Sequence, residues 1–176
     1  MNKRLFILVN LYLTCTVAIG NAQEPSDSLV AQPGATSSWK VSARMFRFAE
    51  KYFVTIREKA ISDDKEIVEP QAPGEERSEW HTVKYRTFQL VYIQHENGAR
   101  SLIELSTNSK GFKLPFGLKL GESREQIIRQ LGQPSAASSS MIVYSQEFGD
   151  GVSADVELLF EKGFLTDVDW KNFPLD

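Results

Sequence analysis

Cysteine and histidine are nearly missing from this chain: 176 residues carry one cysteine, Cys15, and two histidines, His81 and His95. That scarcity removes paired-cysteine and His-Glu-x-x-His metal patterns, which need several soft or imidazole ligands at fixed spacing. An excess of positive charge is also lacking, with 20 Lys and Arg against 23 Asp and Glu. Such a balance gives no attraction to nucleic acid or to an anionic membrane surface. Only one long apolar run occurs, Leu5 to Ile19, and it falls short of the roughly 20 residues of a comfortable membrane span.

That run has the three parts of an export signal. Lys3 and Arg4 form the basic start, Leu5 to Ile19 the apolar core, and Gly20-Asn21-Ala22 the small residues before a cut at Gln23. We therefore expect residues 1–22 to be a signal peptide and the mature chain to be periplasmic or secreted. The alternatives are a buried N-terminal helix and a lipid anchor on Cys15, whose preceding Tyr12-Leu13-Thr14 fits a lipobox poorly. Cleavage near Ala22 leaves no thiol, which excludes disulfides and thiol catalysis despite an oxidising destination. Losing the two positive charges of Lys3 and Arg4 takes the formal charge from −3 to −5.

Gln23 to Ser38 is rich in Ser, Ala, Gln, Pro and Gly and reads as a flexible spacer, residues 23–38. The rest, residues 39–176, has the size of one domain. Val41, Met45, Phe48, Ala49, Tyr52, Phe53 and Ile56 fall on one helical stripe, and Ser37 or Ser38 can cap its start. The β-prone Phe53-Val54-Thr55-Ile56 allows the helix to stop early and turn into a strand. Ser62 to Glu79, with Asp63-Asp64 and Glu75-Glu76, reads as a solvated acidic loop, without the ligand spacing of a cation site.

Strand signals follow. Thr82 to His95 is dense in Val, Tyr, Phe, Leu and Ile, with a phase shift that places a bulge or turn near Arg86-Thr87. Asn97-Gly98 suits a two-residue hairpin turn to a partner strand over Ala99 to Thr107. The best-specified helix lies at Ser123 to Leu131. Ser123 and Gln126 make a capping box, Glu122 and Glu125 suit the positive end of the helix dipole, and Glu125 can pair with Arg129. Ile127, Ile128 and Leu131 form an apolar arc, and Gly132 with Pro134 stops the helix. Three antiparallel strands are then expected at Met141–Glu147, Ser153–Glu161 and Phe164–Trp170, with Asp167 and Asp169 on a wet face.

The two halves are alike. Phe88 to Tyr92, a turn at Gly98 and Ile103 to Leu105 parallel Val156 to Phe160, Gly163 and Val168 to Trp170, and each set follows a helix. The expected fold is therefore α+β: an antiparallel sheet with helices packed on one face. It would be built from two helix-then-meander units, residues 39–108 and 118–176. The string Gly121-x-Ser123-x-x-x-Ile127-x-x-x-Leu131-Gly132-x-Pro134 is followed by Tyr144 and by Leu158-x-Phe160-x-x-Gly163-x-Leu165-x-x-Val168-x-Trp170. This pattern resembles the SmpA/OmlA domain of outer-membrane assembly factor E, well over Leu118 to Trp170 and loosely before it. The β-lactamase-inhibitor protein uses a similar helix-on-sheet unit in tandem. The resemblance implies a protein that presents a sheet face or loops to another protein. Its Gly, Ser, Leu and Pro residues cap and pack, so they carry no chemistry across.

No catalytic set emerges. His81 and His95 stand near Glu79 and Glu96 but without metal-ligand spacing, and read as exposed strand-end residues. The serines lie mostly in linkers without a nucleophile elbow, and Gly149-Asp150-Gly151 reads as a turn. Asp167 and Asp169 would support acid–base chemistry only inside a cleft. No metal or cofactor is expected. The candidates for partner binding are Phe112, Pro115 and Phe116 in the connector Ser109 to Leu118, with Tyr92 and Trp170 among the aromatics. Trp39 and Trp80 are weighed with them, and for each such aromatic core packing is the competing role. The reading is an exported, non-catalytic protein-binding module of inhibitor, immunity or envelope-assembly accessory type. The alternative is an envelope-polymer hydrolase or small-ligand-binding protein using sheet-face carboxylates.

Overall fold

A computed structural model describes residues 30–31, 38–70, 77–149 and 152–173. The expected signal peptide with Cys15, most of the expected spacer, and the turn expected at Asp150-Gly151 lie outside the described residues. Within them the chain forms one nine-stranded antiparallel sheet and two α-helices, an α+β arrangement that is mostly sheet. The elements run β1 (Val30–Ala31), α1 (Ser38–Thr55), β2 (Ser62–Val68), β3 (Ser78–Lys84), β4 (Gln89–His95) and β5 (Arg100–Thr107). A single 3-10 turn at Pro115–Gly117 leads to α2 (Arg124–Leu131), β6 (Ala136–Ala137), β7 (Met141–Gly149), β8 (Val152–Glu161) and β9 (Phe164–Lys171). Strand order across the sheet is β1-β6-β7-β8-β9-β5-β4-β3-β2. None of the described helices is long and apolar enough to cross a membrane.

Cross-strand register explains which side chains are buried. Tyr144, Val156, Trp170, Leu105, Leu90 and Val83 stand opposite one another on consecutive strands. Period-2 alternation puts them on one face, and all six are buried. Trp170 anchors α1 to this row: its ring stacks on Phe48, and its indole Nε1–H donates to the Met45 carbonyl at 3.1 Å. A buried indole needs such an acceptor, because an unmet donor costs about 1–3 kcal/mol. Met45 and Ala49 of the helical stripe are fully buried. Phe46, outside the predicted stripe, is buried too, because Phe173 beyond β9 meets its ring edge-on at 5.0 Å.

The well-specified helix forms as its sequence dictates. Ser123 accepts from the Gln126 amide at 3.3 Å, and Gln126 Oε1 accepts from the Ser123 amide at 3.0 Å. Ile127 and Leu131 are buried. Gly132 follows at φ 88°, ψ −172°, a region essentially restricted to glycine, and its carbonyl accepts from the Tyr144 hydroxyl at 2.8 Å. Arg129 donates to the Glu125 backbone carbonyl.

Several expectations need correction. The acidic stretch is not all loop: Ser62–Val68 is an edge strand paired along its length with β3, which begins at Ser78. Its polarity fits an edge, where charged side chains guard an open ladder. The turn expected near Arg86-Thr87 is present and divides Thr82 to His95 between β3 and β4. Helix α1 does not stop at Phe53 but runs through Thr55, whose hydroxyl donates to the Lys51 carbonyl at 2.8 Å. The hairpin after β4 has a three-residue loop. His95 accepts from the Gly98 amide and donates to the Ala99 carbonyl, and Gly98 alone takes positive φ, +82°. Asn97 instead uses its side-chain oxygen to accept from the Ala99 amide at 2.8 Å. Inside the expected spacer, Val30–Ala31 pairs with Ala136–Ala137.

Candidate functional site

The structure separates the aromatic candidates from the surface. Trp170 is 0% exposed, Phe112 7% and Tyr92 8%. Phe112 packs among Phe48, Tyr52, Phe88 and Trp170, with its nearest ring centre 4.9 Å away in Tyr52. The connector has no periodicity of its own because it folds this ring into the core shared by α1 and the sheet. Phe112, Tyr92 and Trp170 therefore offer no side chain to a partner. Pro115 and Phe116 remain half-buried at the surface. Phe116 adopts φ 59°, ψ 8°, an uncommon state for a non-glycine residue, and the Arg44 guanidinium lies 4.6 Å from its ring centre. Trp80 is 37% exposed. The side chain of Trp39 lies outside the described residues.

The face of the sheet opposite Trp170 carries the charge. There Val143, Glu157, Asp169, Ser106, Gln89 and Lys84 stand in register on consecutive strands. Alternation adds Asp155 on β8, Glu104 on β5 and Asp167 on β9 to the same face. The five carboxylates of Glu104, Asp155, Glu157, Asp167 and Asp169 are each half-buried. Lys171 stands among them, its Nζ 2.7 Å from Glu157 Oε2. That bond is the main cause raising the Lys171 ammonium pKa.

Asp169 is not a freely solvated strand carboxylate. Burial pushes its pKa up to about 6; Lys171 opposes the shift, and the charges of Glu104, Glu157 and Asp167 add to it. Asp167 and Asp169 border a cleft of about 360 Å³ whose other walls include Tyr85, Phe88, Thr107 and Lys84. Beyond Asn108 and Asp167 a shallower hollow continues to Phe164, which is 54% exposed. Sequence reasoning named Asp167 and Asp169 but not Glu104, Asp155 or Glu157. The missing signal was strand register: the β8–β9 hairpin sets Asp155 and Glu157 beside Asp167 and Asp169, and the long-range pairing of β5 with β9 adds Glu104.

Of the two histidines, His95 ends β4 as expected, and His81 differs from expectation. His81 is 2% exposed and sits mid-strand, its ring stacked on Tyr92 at 4.5 Å. Its Nδ1 is 2.9 Å from Asp63 Oδ1, and its Nε2 is 3.5 Å from Glu79 Oε2. The two carboxylates thus approach different ring nitrogens and do not converge on one metal position. His95 Nε2 is 3.0 Å from Ser101 Oγ. Comparison with protein-family models, with curated proteins and with solved structures returns no match to this chain.

Proposed function

We propose that this chain is an exported, non-catalytic protein-binding module of inhibitor, immunity or envelope-assembly accessory type, and that it docks its partner on the acidic sheet face. On this reading residues 1–22 are removed as a signal peptide and the mature protein works in the periplasm or outside the cell. On this reading both helices cover the Trp170 face, and among the described residues no helix lies on the opposite face. The single observation that carries the proposal is the crowding of Glu104, Asp155, Glu157, Asp167 and Asp169, half-buried, on that face. Gathering like charges in partly desolvated positions is unfavourable for the domain alone, and a cationic partner relieves it.

The topology supports two helix-then-meander units. Strands β2 to β5 follow α1, β7 to β9 follow α2, and the sheet order joins the two meanders through β5 and β9. Leu105 and Trp170, equivalent in the repeat, pair directly. Such a tandem is what the SmpA/OmlA-like pattern implies. A test is capture from an envelope extract by the immobilised mature chain, in parallel with an Asp155→Lys, Asp167→Lys variant. The proposal requires a stoichiometric protein partner that salt releases and the variant fails to retain. Equal capture by both chains contradicts the assigned face, and capture of glycan alone contradicts the protein-binding reading.

One observation favours the second reading, a hydrolase or small-ligand-binding protein acting through sheet-face carboxylates. Asp169, its pKa raised to about 6, borders a cleft next to Asp167, as a general acid would. Release of reducing ends or peptides from purified envelope polymer, abolished by Asp169→Asn, would establish it. No turnover with intact Asp169 would sink it.

A further inference from the structure

Close to their shared turn, β8 and β9 slip out of simple register. Leu159 stands opposite Asp167 and Phe160 opposite Leu165, so Thr166 is an extra residue, a β-bulge. Its hydroxyl donates to the Leu159 carbonyl at 3.3 Å. The bulge decides what the start of β9 shows. Leu165 turns into the core with Phe160, and Phe164 emerges on the same face as Asp167 and Asp169. In an unbulged strand Phe164 and Asp167, three residues apart, would point to opposite faces.

Phe164 is one wall of the hollow of about 580 Å³ that adjoins the acidic cleft. Half-buried Leu120 and buried Leu165 line it too, and its lining is mostly apolar. Gly121 contributes bare backbone: at φ +90° it puts no side chain into the space, and its amide donates to the Leu165 carbonyl at 2.8 Å. Asp167 borders both the hollow and the cleft. Its carboxylate forms no hydrogen bond or salt bridge with the described residues. One exposed cation, Lys110, also lines the hollow, and Lys171 is already bonded to Glu157, so the carboxylates of the face stay in excess.

We propose that this hollow receives a large apolar side chain of a protein partner, while a lysine or arginine of the same partner segment sits on Asp167. The inference rests on the protein-binding reading of the acidic face and adds what the partner presents there. Covering the exposed Phe164 ring removes apolar surface from water, which favours an apolar occupant. Unpaired Asp167 selects a cation beside it, by complementarity to the surplus of negative charge. An anionic segment would be repelled, and a wholly apolar one would leave that charge unmet. In an extended segment the two side chains stand two residues apart, since alternate residues share one side.

The experiment is two-dimensional amide NMR of the mature chain titrated with three capped tripeptides: acetyl-Phe-Ser-Arg-amide, acetyl-Ala-Ser-Arg-amide and acetyl-Phe-Ser-Gln-amide. The first should shift the amides of Gly121 and of Phe164 to Asp167 saturably. Without the ring, binding should weaken about tenfold; without the charge, about two- to fivefold. Phe164→Ser, at an exposed position, should keep the spectrum of the fold and bind the first two probes alike. Equal affinity for all three probes, no saturable shift at the hollow, or a preference for the ring that survives Phe164→Ser overturns the inference. Capture from the envelope extract separates this failure from that of the docking face. A partner held undiminished by Phe164→Ser but lost by Asp155→Lys, Asp167→Lys overturns the hollow and leaves the face standing; one held by both variants overturns both.

Discussion

Phe112 illustrates how far a residue's own neighbourhood in sequence can mislead. It sits in an aperiodic connector, where binding residues concentrate, yet its ring closes the core between Tyr52 and Phe88. Phe112→Ala should therefore cost about 3–5 kcal/mol of stability, read as a lower urea midpoint. A change within about 0.5 kcal/mol, the usual range for a surface position, would contradict its place in the core. Asp169 gives the opposite lesson, a strand carboxylate read as wet that the fold half-buries. Its pKa is raised, so the domain is favoured while the group is protonated and loses that advantage as pH rises from about 4 through about 6. Asp169→Asn should thus be more stable than wild type at pH 7 by about 1 kcal/mol, discounted because the carboxyl keeps contact with water. The gain should vanish at pH 3.5, and denaturant melts at the two pH values check it. The buried partners of Trp170 and His81 were invisible for the same reason: both contacts join segments far apart or strands whose pairing the sequence does not print.

At the scale of elements, legibility followed local determination. The helix Arg124–Leu131 was legible at both ends because its cap, arc and stop are encoded within a dozen residues. Ser123→Ala removes the side-chain half of the capping box and should cost about 1 kcal/mol, measurable by urea denaturation. The strand Ser62–Val68 was not legible, because exposure on an edge strips it of hydrophobic alternation; its pattern is set by solvent and by β3 alone. Held on one side only, its amides should exchange with deuterium earlier than those of β8 and β9, which are paired on both sides. Protection of Ser62–Val68 equal to that of β8 would contradict the edge assignment. The three-residue loop at Glu96-Asn97-Gly98 shows a finer limit: Asn-Gly marked the hairpin, but loop length was settled by the register of β4 with β5.

For the whole molecule, the sequence conveyed an antiparallel sheet with two helices and its hairpin pairings, and missed the edge strand β2 and the joining of the meanders through β5 and β9. Apolar alternation marks a strand without naming its neighbour. The join of β5 to β9 unites two meanders in one sheet and adds Glu104 to the carboxylates that the register of β8 with β9 gathers, so the candidate site became visible only with the pairing. Tyr92 and Trp170, chosen as surface anchors, went to the core, while the charges on the other side of the same strands stayed outside. The central claim is that this face is the docking surface. Its most direct test is carbodiimide labelling of carboxylates in the mature chain, free and with its captured partner, mapped by mass spectrometry. The account predicts that the partner shields Glu104, Asp155, Glu157 and Asp167 while leaving the labelling of Glu50 and Glu125, exposed on the two helices, unchanged. Equal labelling of the four in both states would contradict it.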